Sequence, residues 1–148
     1  MPNASGEVII NRPISEVFEY TASAHNGPAF IPNLNENTNI TPDEPSIDQT
    51  FDWRFNMAGV DLRGKASGLN YEVNERVTLK LEGDIAATWD YQFSAVDDNS
   101  TRIYSEVSYD VDAGKLQKMT NAAVLDKINQ HTLDQMLANL KLILESDD

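Results

Sequence analysis

The side chains able to do chemistry in this chain are few and scattered. It carries two histidines, His25 and His131, and no cysteine. Without cysteine there is no thiol nucleophile, disulfide framework or thiolate metal site. Histidine titrates near neutrality and is the first candidate for a general base. His25 falls in the turn Ala24-His25-Asn26-Gly27, expected near the mouth of any cavity. His131 lies about 240° around a helical wheel from Leu125, on the polar side of its segment. The carboxylate pairs Asp43-Glu44, Asp97-Asp98 and Asp147-Asp148 sit in turn-rich stretches or at the tail, and read as solvated surface rather than acid–base dyads. There is no Gly-rich phosphate loop, Walker pattern or nucleophile elbow. No metal or cofactor is expected from these residues, and no catalytic set can be assigned.

Polar groups within apolar stretches say more. Asn129 lies about 40° from Leu125 on the same wheel, inside an apolar arc that also holds Ile128 and is flanked by Thr132 and Asn121. A buried amide needs hydrogen-bond partners, and a ligand oxygen would serve as one. The plainer alternative is a bond to Ser105, Tyr109 or water. Tyr91, Ser105 and Tyr109 are likewise placed to orient a carbonyl or hydroxyl. Around them stand Phe51, Trp53, Phe55, Trp89, Tyr91 and Phe93, with Phe30 nearby in Ala29-Phe30-Ile31-Pro32. Facing inward, these rings would line a pocket for a flat or lipid-like ligand, or simply fill a core.

Elements that position these residues follow from periodicity. Glu7-Val8-Ile9-Ile10 reads as a first strand, broken by Asn11-Arg12-Pro13. Ile14, Val17, Phe18 and Thr21 then share one helical face, with Pro13 suited to open the helix. A second short helical turn covers Pro28 to Ile31 and ends at Pro32. From Asn35 to Val111 the signal has period two. Phe51, Trp53, Phe55 and Met57 alternate with polar residues. Val60, Leu62, Gly64 and Ala66 form an inner face whose small members would let the sheet bend or a ligand approach. Val77, Leu79 and Leu81 alternate next, then Ala87, Trp89, Tyr91 and Phe93, then Ile103, Ser105, Val107 and Tyr109. Links such as Val73-Asn74-Glu75 and Asp97-Asp98-Asn99-Ser100 predict an antiparallel meander of about six or seven strands with one face to cover.

The cover comes last. From Leu116 to Glu145 there is no proline or glycine. Leu125, Ile128, Leu133, Met136, Leu137, Leu140, Ile143 and Leu144 fall on one half of a helix of roughly eight turns. With no repeat or linker, 1–148 reads as one α+β domain: a curved antiparallel sheet around a long C-terminal helix, with two short helices after the first strand.

The totals limit partners. Net charge is −13, from 24 acidic residues against 11 Lys and Arg. Such a surface repels phosphate backbones and anionic lipid headgroups, so neither nucleic acid nor stable membrane insertion is expected. No apolar run approaches the roughly 20 residues needed to span a bilayer. The start, Met1-Pro2-Asn3-Ala4-Ser5-Gly6, lacks the basic and apolar regions of a signal peptide, and cytoplasm is the expected compartment.

The element order, with Val8-Ile9-Ile10-Asn11-Arg12-Pro13-Ile14-Ser15-Glu16-Val17-Phe18 at the start, Thr101-Arg102-Ile103 before the last strand, and Leu137-x-x-Leu140-Lys141-x-x-Leu144-Glu145 at the end, resembles the START and polyketide cyclase-dehydrase-like superfamily (SRPBCC). The resemblance covers nearly the whole chain. Where many relatives carry a tryptophan in the second short helix, this chain has Phe30. The resemblance implies a helix-grip fold with an internal apolar cavity, and binding of lipids, sterols, quinones, polyketides or plant hormones. A minority of relatives catalyse cyclisation or dehydration, and some assist larger protein complexes. The leading expectation is therefore binding of a small hydrophobic molecule by Phe30, Phe51, Trp53, Phe55, Trp89, Tyr91, Phe93, Ser105, Tyr109, Leu125, Ile128, Asn129 and Thr132. The alternatives are a cyclase or dehydratase using Tyr91, Tyr109, Asn129 or His25 for protons and oxyanions, and an adaptor with a protein partner.

Overall fold

The computed structural model describes residues 4–57, 59–109 and 122–146, with backbone only at Met57, Ala122 and Leu125. The expected inner residues Met57 and Leu125 therefore lie outside the described side chains, and the proposed helix start at 116–121 lies outside the described residues.

Strand β1 (Ala4–Ile10) begins three residues before the apolar run that predicted it, because its pairing with the last strand extends to Ala4↔Val107. Pro13 caps helix α1 (Ile14–Ala22), and its carbonyl accepts the Glu16 and Val17 amides at 3.0 and 3.1 Å. Proline's fixed φ lets the chain turn there without an amide donor of its own. Val17, Phe18 and Thr21 are the buried residues of α1, the face the spacing predicted. A 3-10 turn at Ala24–Asn26 leads into the single helical turn α2 (Gly27–Phe30).

Among the described residues, seven strands form one antiparallel sheet in the order β1-β7-β6-β5-β4-β3-β2. The strands after α2 are β2 (Leu34–Thr41), β3 (Thr50–Met57), β4 (Val60–Glu72), β5 (Arg76–Gly83), β6 (Ala87–Asp97) and β7 (Ser100–Tyr109). Consecutive strands from β2 to β7 pair as hairpins, and β1 closes the far edge against β7. The alternation in β3, β6 and β7 holds: Phe51, Trp53, Phe55, Ala87, Trp89, Tyr91, Phe93, Ile103, Ser105 and Val107 are all buried.

Edge strand β2, and single positions of β5 and β6, depart from simple alternation. Edge strand β2 is mostly exposed, is offset twice in its register with β3, and takes a positive φ at Asn39; its sequence carries too little apolar periodicity to delimit it. In the centre of the sheet, Thr78 and Asp90 are buried although they belong to the expected polar side.

Helix α3 (Ala122–Glu145) packs along β1. Leu133, Met136, Leu137 and Leu140 are buried in the common core. Removal of such side chains typically costs about 2–5 kcal/mol each. Polar groups fix its register. Gln130 exchanges hydrogen bonds with the Ser5 backbone at 2.8 and 3.3 Å, Lys141 Nζ donates to the Ile9 carbonyl at 2.8 Å, and Glu145 accepts the Asn11 amide at 2.8 Å. Asn139 Nδ2 donates to the Phe30 carbonyl at 3.0 Å, tying α3 to the end of α2.

Candidate functional site

The hairpins that pair β3 with β4 and β5 with β6 bring the predicted aromatics onto one surface. Trp53 meets Phe55 edge-on at 5.6 Å between ring centroids, Phe55 meets Trp89 at 6.4 Å, and Trp89 meets Tyr91 at 6.5 Å. Phe93 packs instead on Phe18 of α1 at 5.1 Å, and Phe30 on Tyr20 at 5.9 Å. Six of the predicted rings thus divide into a continuous row from β3 to β6 and two contacts beneath the short helices, while Phe51 stands apart, opposite Ala66 of β4. All seven are buried. Edge-to-face pairs of this kind contribute about 0.5–1.5 kcal/mol beyond burial.

Trp53 owes its position to a glycine: it stands opposite Gly64 in the β3–β4 register, and the indole occupies the space a side chain at 64 would fill. Its Nε1–H is buried and has no acceptor among the described residues. An indole N–H normally finds a partner when removed from water, and leaving it bare costs about 1–3 kcal/mol. This donor stands within the aromatic row of β3 and β6.

The polar candidates divide similarly. Ser105 is fully buried, but its hydroxyl is already given to the Asp90 carbonyl at 3.0 Å. Tyr91 donates to Met136 Sδ at 3.5 Å, and burial pushes its phenol well above the usual range. Tyr109, Ile128 and Asn129 are half-buried where β7 meets α3, while Thr132, one turn on, is buried. Tyr109 hydrogen-bonds to Asp126, and Asn129 reaches the same hydroxyl. Burial first, and the Asp126 carboxylate second, push the Tyr109 phenol up to about 12. Tyr109 is thus a neutral hydroxyl at physiological pH, held between an acceptor and an amide. This is the Tyr109–Asn129 bond weighed in the sequence; Asp126 carried no sign of it there, since on the helical wheel it lies outside the centre of the apolar arc.

Neither histidine joins these groups. His131 is exposed on α3. His25 Nε2 lies 2.9 Å from Asp43 Oδ1, a surface pair linking the 3-10 turn to the β2–β3 loop. Among the described residues no three His, Asp or Glu side chains gather at metal-binding distance.

Sequence reasoning missed two polar sites. On the outer face, Asp90 accepts from Thr78 Oγ1 at 2.5 Å, Arg76 Nε at 2.9 Å and Gln92 Nε2 at 2.8 Å. Burial alone would raise this carboxyl, but the three donors outweigh it and hold it below the ordinary carboxylate range. The second is a recess of ≈ 50 Å³ beneath α1, the 3-10 turn and α2. Its apolar floor includes the predicted residues Phe30, Phe51 and Tyr91, and its rim includes Thr21 and Asn37.

A seven-stranded antiparallel sheet, two short helices after the first strand and a long C-terminal helix packed on the sheet define the helix-grip class of proteins. Residues 1–145 match the family model for polyketide cyclase / dehydrase and lipid transport, and the chain belongs to that family. Among solved structures it resembles TTHA0849 from Thermus thermophilus, with a TM-score of 0.78 at 14% identity over 97% of this chain and 99% of that one. A START superfamily protein from Mycobacterium smegmatis superposes with a TM-score of 0.71 at 13% identity, covering 96% of each chain. The Zhui aromatase/cyclase from Streptomyces sp. R1128 gives 0.72 at 10% identity, over 96% of this chain and 92% of that one. At these identities the likeness is one of fold. No curated protein sequence is detectably similar to this chain.

Proposed function

We propose that residues 1–148 act as a single cytoplasmic domain that binds a small hydrophobic molecule, of lipid, quinone or polyketide type, between the inner sheet face and α3. Family membership supports this class of ligand. The observation that carries the reading is the Trp53 indole N–H, buried without an acceptor among the described residues in the aromatic row of β3 and β6. A ligand carbonyl or ether oxygen would satisfy that donor while its apolar body covers Phe55 and Trp89. Among the described residues no helix is long and apolar enough to cross a membrane.

Native mass spectrometry of freshly purified protein, followed by organic extraction, tests the proposal. A retained lipid, quinone or polyketide is the expected result. An empty protein that also fails to bind an environment-sensitive apolar dye would overturn it, and would redirect attention to protein partners.

One observation favours an enzyme working in the same space. Tyr109 is a protonated phenol beside Asp126 and Asn129, and a neutral hydroxyl and an amide so placed could hydrogen-bond a carbonyl oxygen as a ring closes or water leaves. Turnover of a poly-β-carbonyl substrate that disappears in Tyr109→Phe, with ligand retention unchanged, would favour this second reading.

A further inference from the structure

The recess beneath the short helices adjoins the aromatic row through Tyr91, which belongs to both, and among the described residues no part of α3 lines it. Its volume of ≈ 50 Å³ exceeds the roughly 10–15 Å³ that one water needs, which leaves space for a functional group of a larger molecule. Two of its lining residues carry polar atoms that are buried and have no partner among the described residues: Thr21 Oγ1 and Asn37 Oδ1, both shut off from water, so that an occupant must part the lining to reach them. Thr21 is only 6% exposed. It sits in the last turn of α1, where a threonine hydroxyl ordinarily bonds back to the preceding turn, yet it makes no such bond. Asn37 is held firmly, because its Nδ2 donates to the Ala24 carbonyl at 2.8 Å and lies against Gly27. That bond fixes the amide so that Oδ1 remains an acceptor without a donor.

The chemistry of an occupant follows from this pair. Asn37 Oδ1 can only accept, so the occupant must donate. Thr21 Oγ1 can donate or accept, so it complements a group that does both. No Lys, Arg, Asp or Glu lines the recess among the described residues, so neither an anion nor an ammonium would find a counter-charge there. Phe30, Phe51, Val77 and Leu79 supply apolar walls. We propose that this recess takes the neutral hydroxyl end of an alcohol or phenol, with the hydroxyl donating to Asn37 Oδ1 and accepting from Thr21 Oγ1. This rests on the reading of the chain as a binder of small hydrophobic molecules, and names the polar end of such a ligand.

The test compares p-cresol with toluene, which differ by the hydroxyl alone, by NMR titration of the full chain and of Thr21→Val. Valine keeps the shape and removes the buried hydroxyl, so the variant should melt no lower than wild type. The expected result is that p-cresol shifts the Asn37 side-chain amide and the Thr21 methyl. It should bind wild type at least fivefold more tightly than toluene, and the preference should vanish in Thr21→Val. Equal binding of both probes, unaffected by Thr21→Val, would overturn the hydroxyl site while leaving hydrophobic binding intact. Binding of neither probe would overturn both. A crystal structure grown with p-cresol that shows only ordered water between Thr21 and Asn37 would also sink the site.

Discussion

The indole of Trp53 occupies the space above Gly64: a β-carbon at residue 64 would stand 2.8 Å from Trp53 Cε2 and would also overlap the Glu82 carbonyl. Gly83 lies on the neighbouring strand, paired with Gly64, and has a φ of +118°. The two glycines let three strands approach closely where the sheet packs around the aromatic row.

Gly64→Ala is therefore expected to destabilise the protein by about 3 kcal/mol, the upper part of the usual range for overpacking, because the obstruction is backbone as well as ring. Thermal unfolding checks this. A loss under about 0.5 kcal/mol, typical of an unconstrained surface position, would mean that the indole and strand β5 yield easily.

Asp90 gives a pH signature. Its folded pKa is lowered, so its stabilising effect is full above the unfolded value of about 3.9 and is lost as pH falls through the folded one. Asp90→Asn should cost about 2 kcal/mol at pH 7 through loss of the charged acceptor for Arg76, Thr78 and Gln92. The gap between variant and wild type should close below about pH 4. Urea unfolding across that range measures it, and a pH-independent gap would show that shape rather than charge holds this part of the sheet.

Tyr109 makes the opposite prediction. Its folded pKa of about 12 exceeds the unfolded value, so its contribution is complete below about pH 10 and is lost as pH rises toward 12. In a phenolate absorbance titration, Tyr109→Phe should delete a component near 12. Asp126→Asn should move that component only part of the way toward the ordinary value, since burial raises the phenol independently of the carboxylate. Complete reversion would assign the shift to the carboxylate alone.

Asn139→Ala should lower stability by about 1 kcal/mol, the net worth of one hydrogen bond, by releasing the Phe30 carbonyl. Denaturant titration reads this directly. Asp134→Ala, on the exposed face of the same helix, loses only a surface bond to Gln130 and should stay within about 0.5 kcal/mol of wild type. Equal losses in the two variants would show that the tie between α3 and α2 contributes nothing of its own.

What was legible in the sequence was whatever repeats along one element. Phe51, Trp53 and Phe55 announce β3 because strand residues two apart return to the same face, and Leu133, Met136, Leu137 and Leu140 announce α3 by helical spacing. Contacts between elements left no such mark. Asp90 reads as an outward residue, and it is; it becomes buried only because Arg76 and Thr78 on β5 close over it. Asn37 sits in an edge strand with little apolar alternation, and its role depends on Ala24, thirteen residues earlier. Thr21 was visible as part of the α1 inner face, but the space beside it was not. Of the expected ligand set, the aromatic row came together as a surface, whereas Ser105 proved to be committed to the Asp90 carbonyl.

The anchoring of α3 along β1 has a consequence for how the molecule is made. From Gln130 to Glu145 the helix advances about 22 Å, and from Ser5 to Asn11 the chain advances about 20 Å, so the two run side by side at nearly equal pace. Yet the bonded residues are separated by 125 to 134 positions in sequence. The opening strand has β7 and α3 for its neighbours, both of which leave the ribosome after every other strand. Strands β2 to β6 can zip up as hairpins while synthesis proceeds, but β1 must wait with its apolar residues uncovered until the final helix arrives. Closure of the fold is in this sense a late event, and the interval before it is when the nascent chain is most open to capture by chaperones.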